Sequence, residues 1–418
     1  MNCQPGSNAE RISALTRGPL YEKLYGHRLR LVTIYPGAWA DQIRCQLDTF
    51  TLHGERLKYQ ALSYAWGRSM SKSAISLNTY EVFVTTNLEL ALRLLRHATK
   101  EVVLWIDALC INQSDMAERN EQVSRMREIF EGADNVVAFL GHPWMHYPEY
   151  QKKAHLMLSQ EVVDLSAQLS SASVGFQRAK AMAPSVASDL PLPAHPVIEY
   201  LHFLAHLDPG DKFMKFLLLD RQGMFRDLFE GIRILLASAW WTRAWILQEI
   251  IVPEKAMILY GTVTFTWQSF YSISASIIAK GHAERLPAEY GKPLRSLAKL
   301  AQSIEDKRRE WRTGGTTSND LYSLLRDLGG RRATDDRDHI NALLSLVGNG
   351  QTSLKPNYFW NVAQVYAAAT LDILNRDKGS LRVLRGDLSR KGVHNLPSWV
   401  PDWSAPFDDL DRRREELI

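Results

Sequence analysis

The sequence predicts an α/β fold: a parallel sheet flanked by helices, interrupted by a largely helical insertion and followed by a helical C-terminal region. Three observations predict it. Between residues 59 and 140, three short apolar runs alternate with two stretches of helical periodicity. The middle run, Val102-Val103-Leu104-Trp105-Ile106-Asp107, shows no polar alternation, the pattern of a strand buried on both faces. The connections are short, as in right-handed strand–helix–strand crossovers.

Taken in order, the chain opens on a polar stretch of small residues, read as a leader over 1–27. Arg28 to Tyr35 alternates with period two and stops at Pro36-Gly37, so it predicts a strand and a turn. Ile43 to Leu52 is a second strand, and His53-Gly54-Glu55-Arg56 a turn. Tyr59 to Tyr64 is a short buried strand that runs into Ala65-Trp66-Gly67, where the glycine allows a sharp bend. A polar loop from Arg68 to Ser73 leads to a hairpin of Ala74–Leu77 and Glu81–Val84 around Asn78-Thr79. Thr86-Asn87-Leu88-Glu89 reads as a capping box with Thr86 at the cap, opening a helix with Leu88, Leu92 and Leu95 on one face. After the central strand and the loop Ala108–Ser114, Asp115 caps a helix whose stripe is Val123, Met126, Phe130 and Ala133. Asn135 stops it, and Val136 to Leu140 is a further buried strand closed by Gly141.

Residues 142–230 are less regular and contain a linker-like segment, Pro184 to Pro196, so they read as an insertion. One helix over about 231–252 then ends at Pro253, and Lys255 to Tyr260 is a strand ending at Gly261. Beyond about 270 the chain is mostly helical, most clearly at Leu294–Arg309, Asn319–Leu328, His339–Val347 and Val362–Asn375. Leu396 to Ala405, with two prolines and two tryptophans, is extended, and Asp408 to Ile418 is charged with no core-forming pattern. The resulting division is a leader at 1–27, an α/β domain at 28–270 and a helical region at 271–418.

Composition narrows the function. At 418 residues, two to three domains is the expectation. A net charge of +4 is carried by short, scattered basic pairs with acids nearby, which argues against a nucleic-acid surface. Three cysteines with no zinc spacing point to a reducing, cytoplasmic setting without a disulfide framework or a bound metal. No apolar run reaches the roughly 20 residues that span a bilayer. No Walker loop, dinucleotide-binding glycine motif, Gly-x-Ser-x-Gly elbow or kinase set is present.

Open α/β sheets bind ligands beyond the carboxyl ends of their strands. That rule selects Tyr64, Trp66 and Gly67 after one strand, and Asp107 with Cys110, Asn112 and Gln113 after the next. The third candidate stretch is Trp240 to Glu249. Read as one helix, it places Trp241, Trp245, Gln248 and Glu249 on a shared face, a carboxylate among aromatic rings, whereas Arg243 and Glu249, six apart, do not share a face. Each candidate has a packing alternative. The tryptophans are core residues with Glu249 at their edge in an ion pair. Asp107 caps the loop behind it, Cys110 is a small buried residue with no histidine near it in sequence, and Arg119 with Gln122 braces the loop.

Several of these stretches resemble one family, the fungal heterokaryon incompatibility (HET) domain. They are Tyr59-Gln60-Ala61-Leu62-Ser63-Tyr64-Ala65-Trp66-Gly67, Thr86-Asn87-Leu88, Leu104 through Gln113, Arg119-x-x-Gln122-Val123-x-x-Met126, and Arg243 through Glu249. Downstream, Asp335 through Leu344 and Leu396 through Ser404 resemble the region that commonly follows the domain. The likeness covers about residues 28–405 apart from the insertion. It departs at Asn341, where an aromatic is usual, and at Ser345, where glycine is usual.

The resemblance implies a cell-death effector in nonself recognition, with a domain similar to Toll/interleukin-1-receptor-like (TIR) domains and their flavodoxin-like sheet. Some TIR domains hydrolyse NAD with a glutamate in a Trp-x-x-x-Glu context, and Trp245-Ile246-Leu247-Gln248-Glu249 is similar to it. Glu249 would then be the catalytic carboxylate, and NAD a substrate rather than a required cofactor. Tyr64, Trp66, Gly67, Asp107, Cys110, Asn112, Gln113, Arg119, Arg243, Trp245 and Gln248 would line its site. The loop after Asp107 resembles the one that covers the pocket and mediates assembly in TIR domains. The competing implication is a non-enzymatic module that signals through homotypic assembly or through an incompatible partner or receptor protein.

Overall fold

The computed structural model describes residues 20–52, 57–67, 72–142, 197–198, 201, 204–206, 208, 226–313, 320–348, 350–376, 381–384, 388–389 and 391–405. The expected leader up to residue 19, the turns at 53–56, most of the 142–230 insertion with its Pro184–Pro196 segment, and the tail after 405 lie outside them. The described chain is a mixed α/β protein with nine strands in order: β1 (Arg28–Ile34), β2 (Arg44–Thr51), β3 (Gln60–Tyr64), β4 (Lys72–Leu77), β5 (Tyr80–Thr85), β6 (Val102–Trp105), β7 (Asn135–Phe139), β8 (Ala256–Tyr260) and β9 (Val263–Thr266). It divides into two compact units, Met1–Tyr59 with Trp66–Arg119, and Gln60–Ala65 with Asn120–Ile418.

In the first unit the strands run β5-β4-β2-β1-β6. β1 pairs antiparallel with β2 along its whole length, Arg28 opposite Thr51 and Ile34 opposite Cys45. β6 also runs antiparallel to β1, with Val32 opposite Leu104. β4 and β5 form the expected hairpin, Leu77 opposite Tyr80, closed by Asn78-Thr79 with Asn78 at φ +54°. The helix that follows, Thr86–Leu95, is capped one residue earlier than expected: the Thr85 side chain accepts from the Leu88 amide at 3.3 Å. Glu89 turns to Arg93, one turn on, in place of the backbone contact of a capping box.

A buried ion pair anchors this unit. Arg30 is 2% exposed and forks onto Glu118, with Nη1 at 2.5 Å from Oε1 and Nη2 at 3.0 Å from Oε2. Arg30 Nη1 also donates to the Cys110 carbonyl at 3.0 Å, and the Glu118 carboxylate accepts the Asn112 amide at 2.7 Å. The Tyr21 ring lies against the guanidinium at 5.0 Å, and its hydroxyl donates to the Leu109 carbonyl at 3.2 Å. One planar, bidentate pair thus ties strand β1 to the loop after β6.

In the second unit the order is β3-β7-β8-β9. β3, β7 and β8 are parallel, Ser63 opposite Ala138 and Ala138 opposite Ile258, which is the parallel core expected of an α/β fold. β9 is an additional antiparallel strand, formed because Gly261, at φ +56°, turns the chain straight back. Asp115 caps the helix Met116–Ser124 through the Ala117 and Glu118 amides at 2.9 and 3.1 Å. The expected single helix breaks at Arg125 and resumes as Met126–Gly132, keeping Val123, Met126 and Phe130 buried. Asn135 begins β7 instead of ending the helix.

C-terminal to the sheet the helices Trp267–Ala279, Ala288–Arg312, Leu321–Leu328, Asp338–Leu344 and Val362–Arg376 include counterparts of the four expected ones, although the expected His339–Val347 helix stops at Leu344 and the expected Asn319–Leu328 helix begins at Leu321, after the Asp320 cap. Glu305, 2% exposed, accepts the Trp267 indole at 2.8 Å and faces Arg308 and Arg309 at 3.6 and 3.5 Å. The segment after Lys391 is irregular, as two prolines require. Asp402 gathers the amides of Gly392, Val393 and Ser404 at 2.6, 3.0 and 3.0 Å, and Lys391 donates to the Ser398 and Val400 carbonyls at 3.1 Å each.

Replacing Arg30 by methionine leaves Glu118 buried without its counter-charge. We expect a loss of about 3–5 kcal/mol in denaturant unfolding, with Arg30→Lys losing less because the charge stays and only the fork is removed. Equal losses for the two variants would show that the charge contributes nothing beyond packing.

Candidate functional site

In the first unit the candidate residues gather around Asp107. Trp66 is 39% exposed and its indole donates to Asp107 Oδ2 at 2.8 Å. Asp107 Oδ1 accepts the Ala108 amide at 2.7 Å, and its carbonyl accepts the Gln113 side-chain amide at 2.9 Å. Asp107 therefore does cap the loop behind it, through the short helix Asp107–Cys110, while also orienting an exposed indole. Gly67 sits at φ +78°, the left-handed conformation that suits glycine, and supplies the bend. Asn112 folds its own loop, its side-chain oxygen accepting from the Ser114 hydroxyl at 2.6 Å and the Ser114 amide at 3.2 Å. Arg119 is half-buried on the helix Met116–Ser124.

Cys110 is 1% exposed, and burial pushes its thiol up to about 12. The Ile106 amide points at its sulfur from 3.3 Å. A thiol held protonated in the core is no nucleophile at neutral pH. Cys45 is raised to about 12 by the same burial.

In the second unit the chain from Ser238 to Glu249 is not one helix. The helix Arg226–Leu236 ends, a 3₁₀ turn covers Ala239–Thr242, and the helix Ile246–Ile251 begins afresh after Trp245. The reason lies in the bonds the intervening residues make. Arg243 and Ala244 leave the helical path to pair with Arg332, the Ala244 amide donating to the Arg332 carbonyl at 3.0 Å and the Arg332 amide to the Thr242 carbonyl at 2.6 Å. Arg331 adds a guanidinium bond to the Trp241 carbonyl at 2.7 Å.

This break changes which residues meet. Arg243 and Glu249, six apart, would lie on different faces of a continuous helix. In the folded chain Arg243 Nη1 stands 3.7 Å from Glu249 Oε2 and also donates to the Tyr64 carbonyl. Glu249 is 3% exposed, and its Oε2 accepts the hydroxyl of Ser63 in β3. Ser63 in turn accepts the Trp240 indole at 2.7 Å. Indole, hydroxyl and carboxylate form a relay in which each donor has one acceptor. Trp240 and Trp241 meet edge to face with centroids 4.9 Å apart, and Trp241 stacks on Phe270 at 5.6 Å. Trp245 is half-buried, and all six residues of the helix Ile246–Ile251 are buried. Gln248, 1% exposed, leaves its amide nitrogen without a hydrogen-bond partner.

The carboxyl ends of β3 and β7 are thus occupied by the protein itself. Arg243 takes the Tyr64 carbonyl, and the Ser238 hydroxyl takes the Leu140 carbonyl at 2.7 Å. Ser63 and Trp240 lie in stretches quoted from the sequence but were not among the site residues named there. The signal for Ser63 was present, a small hydroxyl side chain among the buried residues of a short strand, which needs a polar partner. Nothing local identified Glu249 as that partner. Among the described residues no His/Cys/Asp/Glu cluster suits a metal ion, and no helix is long and apolar enough to cross a membrane.

Residues 59–249 match the family model described as heterokaryon incompatibility protein (HET). The chain is also 24% identical over 433 aligned residues to "Heterokaryon incompatibility protein 6, OR allele" of Neurospora crassa. That alignment takes in 93% of this chain and 60% of the relative, so the chain spans less than two thirds of the protein it matches. No solved structure matches it. The family match begins one residue before β3 and ends at Glu249, so both partners of the Ser63–Glu249 hydrogen bond lie within it.

Two outcomes test this geometry. Ser63→Ala removes the donor to Glu249 and the acceptor of Trp240 together, and we expect a loss of about 1–3 kcal/mol in unfolding free energy. In a Cys3→Ser background, Cys45 and Cys110 should resist a disulfide reagent at pH 8 and react only after denaturation, because both thiols titrate near 12. Rapid reaction of either in the folded chain would contradict its burial.

Proposed function

We propose, from the heterokaryon incompatibility domain that this chain carries over residues 59–249, that the protein is a cell-death effector of fungal nonself recognition acting through its protein contacts. The observation that carries this reading is the occupied sheet edge. Where an α/β fold offers a ligand its site, Ser238 and Arg243 satisfy the Leu140 and Tyr64 carbonyls, and the Trp240–Ser63–Glu249 relay satisfies its own donors. A carboxylate 3% exposed, bonded to a hydroxyl that itself holds a buried indole, is suited to be a structural anchor. The match to an incompatibility protein of Neurospora crassa supports the biological role. On this reading the domain is TIR-like in the scaffold sense, and an incompatible partner or a second copy of the chain is what it engages.

A second reading is favoured by the chemistry of the same carboxylate. Glu249 already accepts a hydroxyl hydrogen bond, the type of donor that a ribose presents. The neighbouring Gln248 holds a buried amide without a partner, a group that a ligand would satisfy. Cleavage of the nicotinamide–ribose bond of NAD needs a carboxylate beside a developing oxocarbenium ion. Glu249 would fill that role once Ser63 gave up its bond, with Trp245 and Gln248 of the same unit among the residues lining the substrate.

Purified protein mixed with NAD, with nicotinamide release followed over time, separates the two. We expect no release by the wild type, while its expression in fungal cells reduces viability without lowering NAD. Release by the wild type that disappears in a folded Glu249→Gln variant, and persists in Ser63→Ala, would overturn the assembly reading in favour of the enzyme.

A further inference from the structure

β5 is the terminal strand of its sheet, and its composition does not protect it. Tyr80-Glu81-Val82-Phe83-Val84-Thr85 carries one charge and no proline, and Phe83 is 61% exposed. Terminal strands of soluble proteins are ordinarily blunted by several charges, by proline or by bulges.

The hydrogen-bond register decides which groups face outward. The Ser76 amide donates across to the Ile43 carbonyl on the β2 side at 2.9 Å, so Ser73, Ile75 and Leu77 turn their main-chain groups to β5. Their opposite residues, Val84, Val82 and Tyr80, bond inward. Glu81, Phe83 and Thr85 therefore direct their amides away from the sheet, and among the described residues no strand receives them. Glu81 and Phe83 offer their carbonyls in the same direction, while the Thr85 carbonyl opens the helix Thr86–Leu95.

We propose that β5 pairs antiparallel with β5 of a second copy of this chain, with Phe83 opposite Phe83 at the two-fold axis. Three features of the strand select that register. It joins outward-facing residues to outward-facing residues: Phe83 exchanges two bonds with Phe83, and each Thr85 amide meets the partner's Glu81 carbonyl. It keeps like charges apart, because Glu81 lies opposite Thr85 rather than Glu81. It also brings opposite charges together, since Lys72 is opposite Thr85 within the hairpin and thus lies in the same cross-strand row as the partner's Glu81. The two exposed phenyl rings cover each other in a direct cross-strand aromatic pair.

The assignment rests on the assembly reading above and names the surface that serves it. Its test is sedimentation of the full chain over a concentration range, with disulfide trapping in a Cys3→Ser background. Phe83→Cys places two thiols directly opposite, at the roughly 5.5 Å Cα separation of a hydrogen-bonded pair, which a disulfide bridges. Glu81→Cys is the control, because four residues of offset put its two copies about 13 Å apart. We expect concentration-dependent self-association, covalent dimers from Phe83→Cys but not from Glu81→Cys, and self-association weakened by at least about tenfold in affinity for Phe83→Lys. Since Phe83 is exposed, Phe83→Lys should keep the far-ultraviolet circular dichroism of the wild type.

A chain that stays monomeric, a Glu81→Cys variant that cross-links as readily as Phe83→Cys, or self-association unaffected by Phe83→Lys would each overturn the pairing. Viability of fungal cells expressing the variants tells the two ideas apart. Killing that survives loss of the β5 contact removes only this surface. A chain that pairs through Phe83 and never kills removes the functional reading and leaves the surface standing.

Discussion

Glu249 is the group that the second unit cannot bury without help. A carboxylate at 3% exposure has lost its water and must recover the lost solvation from the protein. Ser63 supplies the hydroxyl from strand β3, and Arg243 supplies the charge from backbone that departs from regular structure. The chain from Ser238 to Trp245 abandons the helix so that Arg243 can reach back over two turns' worth of sequence, and the pairing with Arg332 stabilises that departure. The three tryptophans around it fill volume, but only Trp240 takes part in the polar relay.

The first unit solves the same physical problem with a different pair. Arg30 and Glu118 are 88 residues apart and both inaccessible, and their fork closes over the loop after β6. The carbonyls and amides of Cys110 and Asn112, which a loop would otherwise show to water, bond to that pair. The loop is therefore a defined surface, with Trp66 presented beside it by Asp107. In each unit a buried charge organises an otherwise irregular segment, and the exposed groups follow from that organisation.

Function follows from where polar groups are satisfied and where they are left open. At the carboxyl ends of β3 and β7 the protein satisfies its own carbonyls and carboxylate, which leaves a rigid, dry anchor. At β5 the opposite holds: main-chain donors and a phenyl ring face outward together. The satisfied carboxylate of the second unit and the open strand edge of the first are the two features on which the proposed recognition by contact rests.

Local pattern determined most of the strands and helices of this chain. The runs at β1, β3, β6, β7 and β8, the β4–β5 hairpin and the four C-terminal helices were legible because alternation, helical period, glycine turns and caps act within a few residues. The candidate glutamate and arginine were legible as residue types in a family-like motif. Only tertiary structure decided how they meet. A helical wheel separates Arg243 from Glu249, but the pairing of Arg243 with Arg332, some ninety residues away, breaks the helix and brings them to 3.7 Å. Strand direction was likewise undecided by sequence: nothing in the apolar run of β6 shows that β1 lies antiparallel beside it, since hydrophobicity records burial and not orientation. The partner of Ser63 lies 186 residues away. No periodicity reaches that far, and the energy that selects it exists only once both strand and helix are buried.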